Sequence, residues 1–141
     1  ALNNHGTSFH NMLISFYAYM GHKISGRDAY SHFVEGAFNR QIMKDGSQPR
    51  ELKRPDSFHY STFNIGFLIE VAERSGQQLG LNMWNEKNTE GANINDAAEY
   101  LAPFALGEKE WPYQNGMQPE TLKSLAEHLV KIRAQYGDMS G

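Results

Sequence analysis

Apolar residues recur at helical steps along almost the whole chain. Met12, Leu13, Phe16 and Tyr19 return every three or four positions. This predicts a first helix that Thr7 or Ser8 can cap and Gly21 ends. A second helix is expected from about Arg27 to Gln41, with Tyr30, Phe33, Val34 and Phe38 along one stripe. Lys44-Asp45-Gly46-Ser47-Gln48-Pro49 is a turn cluster. The third helix, about Ser57 to Ser75, is the most apolar. Its Phe63, Ile65, Phe67, Leu68, Ile69, Val71 and Ala72 point to several sides, which predicts burial on more than one face. Gly76 is expected to end it. Residues 77–93 form a long polar loop around Trp84, and a fourth helix from about Ile94 to Leu106 turns Ala97, Ala98, Leu101 and Phe104 inward. Gly107 and Trp111-Pro112-Tyr113 break the chain. A last amphipathic helix starts near Pro119 and carries Leu122, Leu125, Leu129 and Ile132.

Alternating strand-like runs are short. The pattern therefore predicts an all-α fold of antiparallel helical hairpins, one domain over residues 1–136, with a disordered tail at 137–141. The connections are long for a tight four-helix bundle, which favours paired hairpins.

Composition narrows the classes. The 141 residues are enough for one domain with a real core. There is no cysteine, which excludes disulfides and thiolate metal sites. No apolar run approaches the ~18 residues of a membrane span, so no membrane partner is expected. The net charge of −3 is uneven. From Arg40 to Arg54 the chain holds five basic residues (Arg40, Lys44, Arg50, Lys53, Arg54) against Asp45 and Glu51, leaving 8 basic and 14 acidic residues elsewhere. Such a stretch can concentrate an anionic ligand, or it is an ordinary solvated loop. Nucleic acid needs a broader basic face and is not an expected partner.

The candidate chemistry lies in two segments. Asn4 and His5 stand at the start. Arg54, His59, Tyr60 and Asn64 span the charged loop and the first turns of the third helix. Together they offer an amide, an imidazole, a guanidinium and a phenol, the groups needed to take a carbon-bound proton and stabilise the charge left behind. Tyr60 and Asn64 are four apart and can share a face, while His59 points about 100° away from Tyr60. A blander reading has Tyr60 as a core aromatic, Asn64 as a partner for loop backbone and His5 as an exposed terminal residue. Chain termini fray. A catalytic pair so close to one, with no initiator Met or signal peptide before it, predicts a piece of something longer.

No metal site is expected. His5 and His10 are not spaced as a helical ligand pair, and there is no HExxH. There is likewise no GxSxG, no phosphate-cradling glycine motif and no thiol nucleophile. Glu51 and Asp56 flank one loop and could act as acid and base in glycoside hydrolysis, or pair with Arg50, Lys53 or Arg54.

NNHGT, then DGSQPRELKRPDSFHYSTFN, LNMWN and EKEWPYQ, resemble the alginate lyase family of helical-toroid enzymes from Ala1 to about Gln114. The order of helices is similar to that family's C-terminal half, which implies part of an incomplete (α/α) toroid. The resemblance implies β-elimination on a uronic-acid polymer, alginate first among them, with no metal or organic cofactor. It implies Asn4 and His5 as the pair neutralising the C5 carboxylate, Tyr60 as base and acid, and Arg54, or Lys53 in its place, as the arginine before the tyrosine. His5 would instead be the base for the epimer whose C5 proton lies on the opposite face. Gln48, Arg50, His59 and Asn64 are expected to contact substrate.

A free Tyr, with a pKa of about 10, needs roughly 4 kcal/mol of help to act as a base at neutral pH. A nearby cation supplies much of that. The expected partners are an anionic polysaccharide and a second polypeptide or N-terminal half that completes the cleft and covers the inner helix faces. The expected location is secreted or periplasmic. The alternative is a non-catalytic glycan-binding fragment or a degenerate lyase.

Overall fold

In the computed structural model, which describes residues 2–137, helix begins earlier than the apolar pattern predicts. Helix α1 runs Asn4–Tyr19 with Asn3, not Thr7 or Ser8, as its cap; the Asn3 carboxamide oxygen accepts from the His5 N–H at 3.1 Å. Thr7 is fully buried instead, its hydroxyl 2.8 Å from the donating Gln41 amide nitrogen. The early start draws Asn4 and His5 into a regular first turn.

Helix α2 covers Lys23–Phe33, also earlier than expected, and does not continue evenly to Gln41. Val34–Phe38 is a π-helical turn, and α3 (Asn39–Gln41) follows it. The wider turn brings residues five apart onto one side. Phe33 and Phe38 are thereby both fully buried, with ring centroids 6.1 Å apart.

A short helix absent from the sequence reading, α4 (Pro49–Leu52), follows the charged turn. That turn is held close to the body of the protein. Gly46 has φ +88°, and a Cβ there would lie 2.1 Å from the Asp96 carbonyl oxygen, so only glycine fits.

Helix α5, Ser57–Leu79, runs past Gly76. A single helical glycine costs only about 1 kcal/mol, and Leu79, 2% exposed, draws the last turn into the core. Gly80 (φ 67°) ends the helix instead, its N–H donating to the Gly76 carbonyl. The long loop contains one 3-10 turn, Met83–Asn85, that buries Met83. Helix α6 (Ile94–Ala105) opens on a capping box between Asn93 and Asp96, and α7 spans Pro119–Tyr136. Among the described residues the fold is all-α, as expected. The expected disordered tail lies outside the described residues from position 138 on. Among the described residues no helix is long and apolar enough to cross a membrane.

Helix α5 lies at the centre, packed against α1, α2, α4, α6 and α7. It buries Ile65, Leu68, Ile69, Val71 and Ala72, but leaves Phe63 46% exposed. Of the expected apolar row in α1, Met12 is 63%, Phe16 57% and Tyr19 88% exposed, with Phe9 beside them at 53%, whereas Leu13 packs against the core. The buried stripe of α1 is Asn4, Thr7, Asn11 and Ile14, three polar residues and one apolar.

Candidate active site

Two segments distant in sequence meet where α1 and α5 begin. Asn4 is 3% exposed in the first turn of α1. Its side-chain oxygen accepts from Arg54 Nη1 at 2.6 Å. The Arg54 guanidinium lies face-on over the Tyr60 ring, its Cζ 3.3 Å from the centroid. One planar cation therefore touches both the amide and the phenol ring. Lys53, the alternative to Arg54, is exposed; the geometry favours Arg54.

Glu51 completes the cluster. Its carboxylate, 1% exposed, accepts from the Asn4 backbone N–H at 2.6 Å and from Arg54 Nη1 at 3.3 Å. The first bond satisfies an amide that the start of α1 would otherwise leave without an acceptor. Burial pushes the Glu51 carboxyl above its ordinary value, against the opposing pull of the Asn4 N–H, the Arg54 cation and the neighbouring His5. His5 itself is exposed, next to Asn4 in the same turn.

The expected substrate contacts divide. Gln48 and Asn64 do not face a cleft: they are 2% and 1% exposed, and Asn64 Nδ2 donates to Gln48 Oε1 at 2.8 Å. Asn64 lies one helical turn below Tyr60, which carries it under the surface. Gln48 also donates to the Ser61 carbonyl at 3.1 Å, and Asn64 reaches Gln41 at 3.3 Å. The chain Thr7–Gln41–Asn64–Gln48 is thus an internal polar tie between the starts of α1 and α5. Sequence reading missed Gln41, which follows the polar Asn39 and Arg40 in α3 and carries no local sign that it is buried. Arg50 is exposed on α4.

His59 points to the other side of the first turn of α5. It stacks on Phe63, with centroids 5.6 Å apart and planes 16° from parallel, and its Nδ1 lies 3.3 Å from the Thr121 hydroxyl. Beyond it a crevice of about 260 Å³ opens between α5 and α7, bounded by Phe67, Glu70, Ser124 and His128. Trp111 closes the start of α5 from above, edge-on to Phe58 at 5.0 Å and donating to the Ser57 hydroxyl at 3.2 Å.

For a pair of hydrolytic carboxylates the arrangement is poor. Glu51 is held by Arg54, as the salt-bridge alternative had it, and exposed Asp56 accepts from the Asn115 amide at 3.0 Å. Among the described residues no group of three or more histidines and carboxylates is placed to hold a metal ion.

The sequence model of the alginate lyase family matches residues 1–111. The chain belongs to the alginate lyase family. Its structure is similar to that of an alginate lyase from Bacteroides ovatus, with a TM-score of 0.88 and 26% sequence identity. That match covers 98% of this chain and 37% of the Bacteroides chain, so this member of the family spans little more than a third of its structural relative. No curated protein sequence matches it.

Proposed function

We propose that the protein is part of a polysaccharide lyase that cleaves a uronic-acid polymer, alginate first among them, by β-elimination. The observation that carries this reading is the Arg54 guanidinium, bonded to Asn4 and stacked on Tyr60 in a member of the alginate lyase family.

The C5 proton of a uronate is weakly acidic because the adjacent carboxylate is already negative. Asn4 and His5 hydrogen-bond that carboxylate and stabilise the enolate-like charge as the proton leaves. The Tyr60 oxygen, as base, takes the C5 proton. The electron pair left at C5 forms the C4–C5 double bond and the C4–O4 bond breaks. Tyr60 then returns that proton to the departing oxygen. Arg54 lies on the ring face and holds the phenol in place for this step. Asn4 is oriented for this role because its oxygen is fixed by Arg54. The exposed His5 is free to meet substrate, and on the opposite C5 epimer it serves as the base. His59 on its Phe63 stack, with Arg50 on the rim, supplies contacts to neighbouring sugars.

The outward apolar row of α1, on a chain spanning 37% of its relative, supports a cleft whose other wall comes from further polypeptide of the same family. A large anionic polymer is met outside the cytoplasm, which supports a secreted or periplasmic location.

The test is incubation with alginate while following the ultraviolet absorbance of the unsaturated uronate product. A rise that Tyr60→Phe abolishes supports the lyase. Reducing sugar without absorbance would mean hydrolysis, and binding without either product would leave a glycan-binding module.

A further inference from the structure

We propose that Glu51 is the positioning residue of this site: its buried carboxylate clamps the first amide of α1 and the Arg54 guanidinium together, and so sets Asn4 and Arg54 against Tyr60. The role in turnover rests on the lyase reading above, whereas the clamp itself stands on geometry alone.

Three observations converge on it. The two Glu51 oxygens have separate duties, Oε1 to the Asn4 N–H at 2.6 Å and Oε2 to Arg54 at 3.3 Å. Arg54 Nη1 in turn bonds Asn4 Oδ1 at 2.6 Å, closing a ring of three groups: carboxylate, guanidinium and amide. Glu51 is 1% exposed, whereas the Arg54 side chain is 24% exposed. The anion is therefore the fixed end of the pair and the cation the end that reaches toward the site. A long, flexible arginine left with a single hydrogen-bond partner, Asn4, would slide on the Tyr60 face and sample other rotamers, and the Asn4 amide would turn with it.

The charged and titratable groups around Glu51 are Arg54 from the loop after α4 and His5 from α1, with Tyr60 of α5 beneath the guanidinium. Glu51 has no path to substrate, since Asn4 and Arg54 occupy both of its oxygens. It acts through them.

Two substitutions separate its two duties. Glu51→Gln keeps an oxygen for the Asn4 N–H but presents no charge to Arg54. Glu51→Ala removes both and leaves a buried amide without an acceptor. On alginate, Glu51→Gln is expected to lower kcat at least about tenfold with KM nearly unchanged, since the interaction lost orients the reacting groups rather than binds the polymer. Its Tm should stay within about 5 °C of wild type. Glu51→Ala should lose more turnover and also stability. Full turnover in Glu51→Gln would overturn the proposal, as would a loss confined to KM.

A measurement that needs neither variant nor activity keeps the clamp testable. The Asn4 amide in the unaltered chain should be protected from hydrogen exchange, and rapid exchange there overturns the clamp. Should the chain give no lyase product while that amide is protected, the lyase reading falls and the clamp survives.

Discussion

Helices α1 and α5 lie side by side and are held by opposite means. Helix α5 buries a broad apolar surface, with Ile65, Leu68 and Val71 fully enclosed. Helix α1 turns Phe9, Met12, Phe16 and Tyr19 outward and buries Asn4, Thr7 and Asn11. Beside the buried Ile14 and the flanking Leu13 and Tyr17, its attachments are hydrogen bonds: Asn4 N–H to Glu51, Thr7 to Gln41, and Asn11 Nδ2 to Glu70 at 2.6 Å. Apolar burial is non-directional and tolerates small shifts, whereas a hydrogen bond loses strength steeply with angle. One helix is thus anchored by area and its neighbour by geometry. The directional one carries the Asn-His pair, the groups whose placement the proposed chemistry needs most.

The largest effect expected from this contrast is on rate alone. Tyr60→Phe removes the phenolic oxygen from the well-anchored helix, so turnover on alginate should fall about 10²–10⁴-fold, with no change in Tm. A melting point that drops with activity would mean that the hydroxyl is structural. Next comes Leu68→Ala, which opens a cavity beneath α5 and should cost about 2–5 kcal/mol by denaturant unfolding. A loss below that range would show that α5 does not rest on its apolar face.

Thr7→Val is nearly isosteric and touches only the polar anchor of α1. It should cost about 1–3 kcal/mol and also lower turnover, because the start of α1 shifts with it. Unchanged activity would separate the internal polar tie from the site.

A pH scan tests the α5–α7 packing. Burial, helped by the Lys131 charge, pushes the His128 imidazole below its ordinary value of 6.5, against Glu127 and Glu70. The unfolded chain then takes up the proton more readily than the folded one. Stability is therefore full above pH 6.5 and declines as pH falls from there toward the depressed folded value. His128→Gln should flatten that limb of a Tm-versus-pH curve; an unaltered limb would place its origin elsewhere. Smallest of all, Phe16→Ser on the outward row should change the stability of this chain by less than about 0.5 kcal/mol. A larger loss would reveal that something covers that row.

Much of this was legible in the sequence. The helices follow from apolar periodicity, and α6 and α7 start where the pattern puts them, at Ile94 and Pro119. The meeting of Asn4, Arg54 and Tyr60 was readable from motifs, because the order and types of residues carry it. What escaped depends on tertiary partners. The start of α1 at Asn4 needs an acceptor supplied by Glu51, and no local window contains both. The π turn at Val34–Phe38 answers a demand to bury Phe33 and Phe38 together, which a regular helical pattern cannot express. Gly76 was read as a stop, but Leu79 and its core pocket override it. Gln48 and Asn64 look like ligand-binding amides by type; their bonds to each other, to Gln41 and to the Ser61 carbonyl mark them as internal ties. The apolar row of α1 has ordinary helical spacing; which side faces inward is decided by what its neighbours offer.

The amide that opens α1 finds its acceptor 47 residues downstream. Closing a span of that length costs chain entropy that local turns do not. During folding, the first turn of α1 is therefore expected to form after α4 docks, so that the proposed site is completed late. The same ordering runs in reverse under stress: heat or denaturant should silence the protein before its bulk helical signal fades, as the local opening of one long-range clasp precedes global collapse.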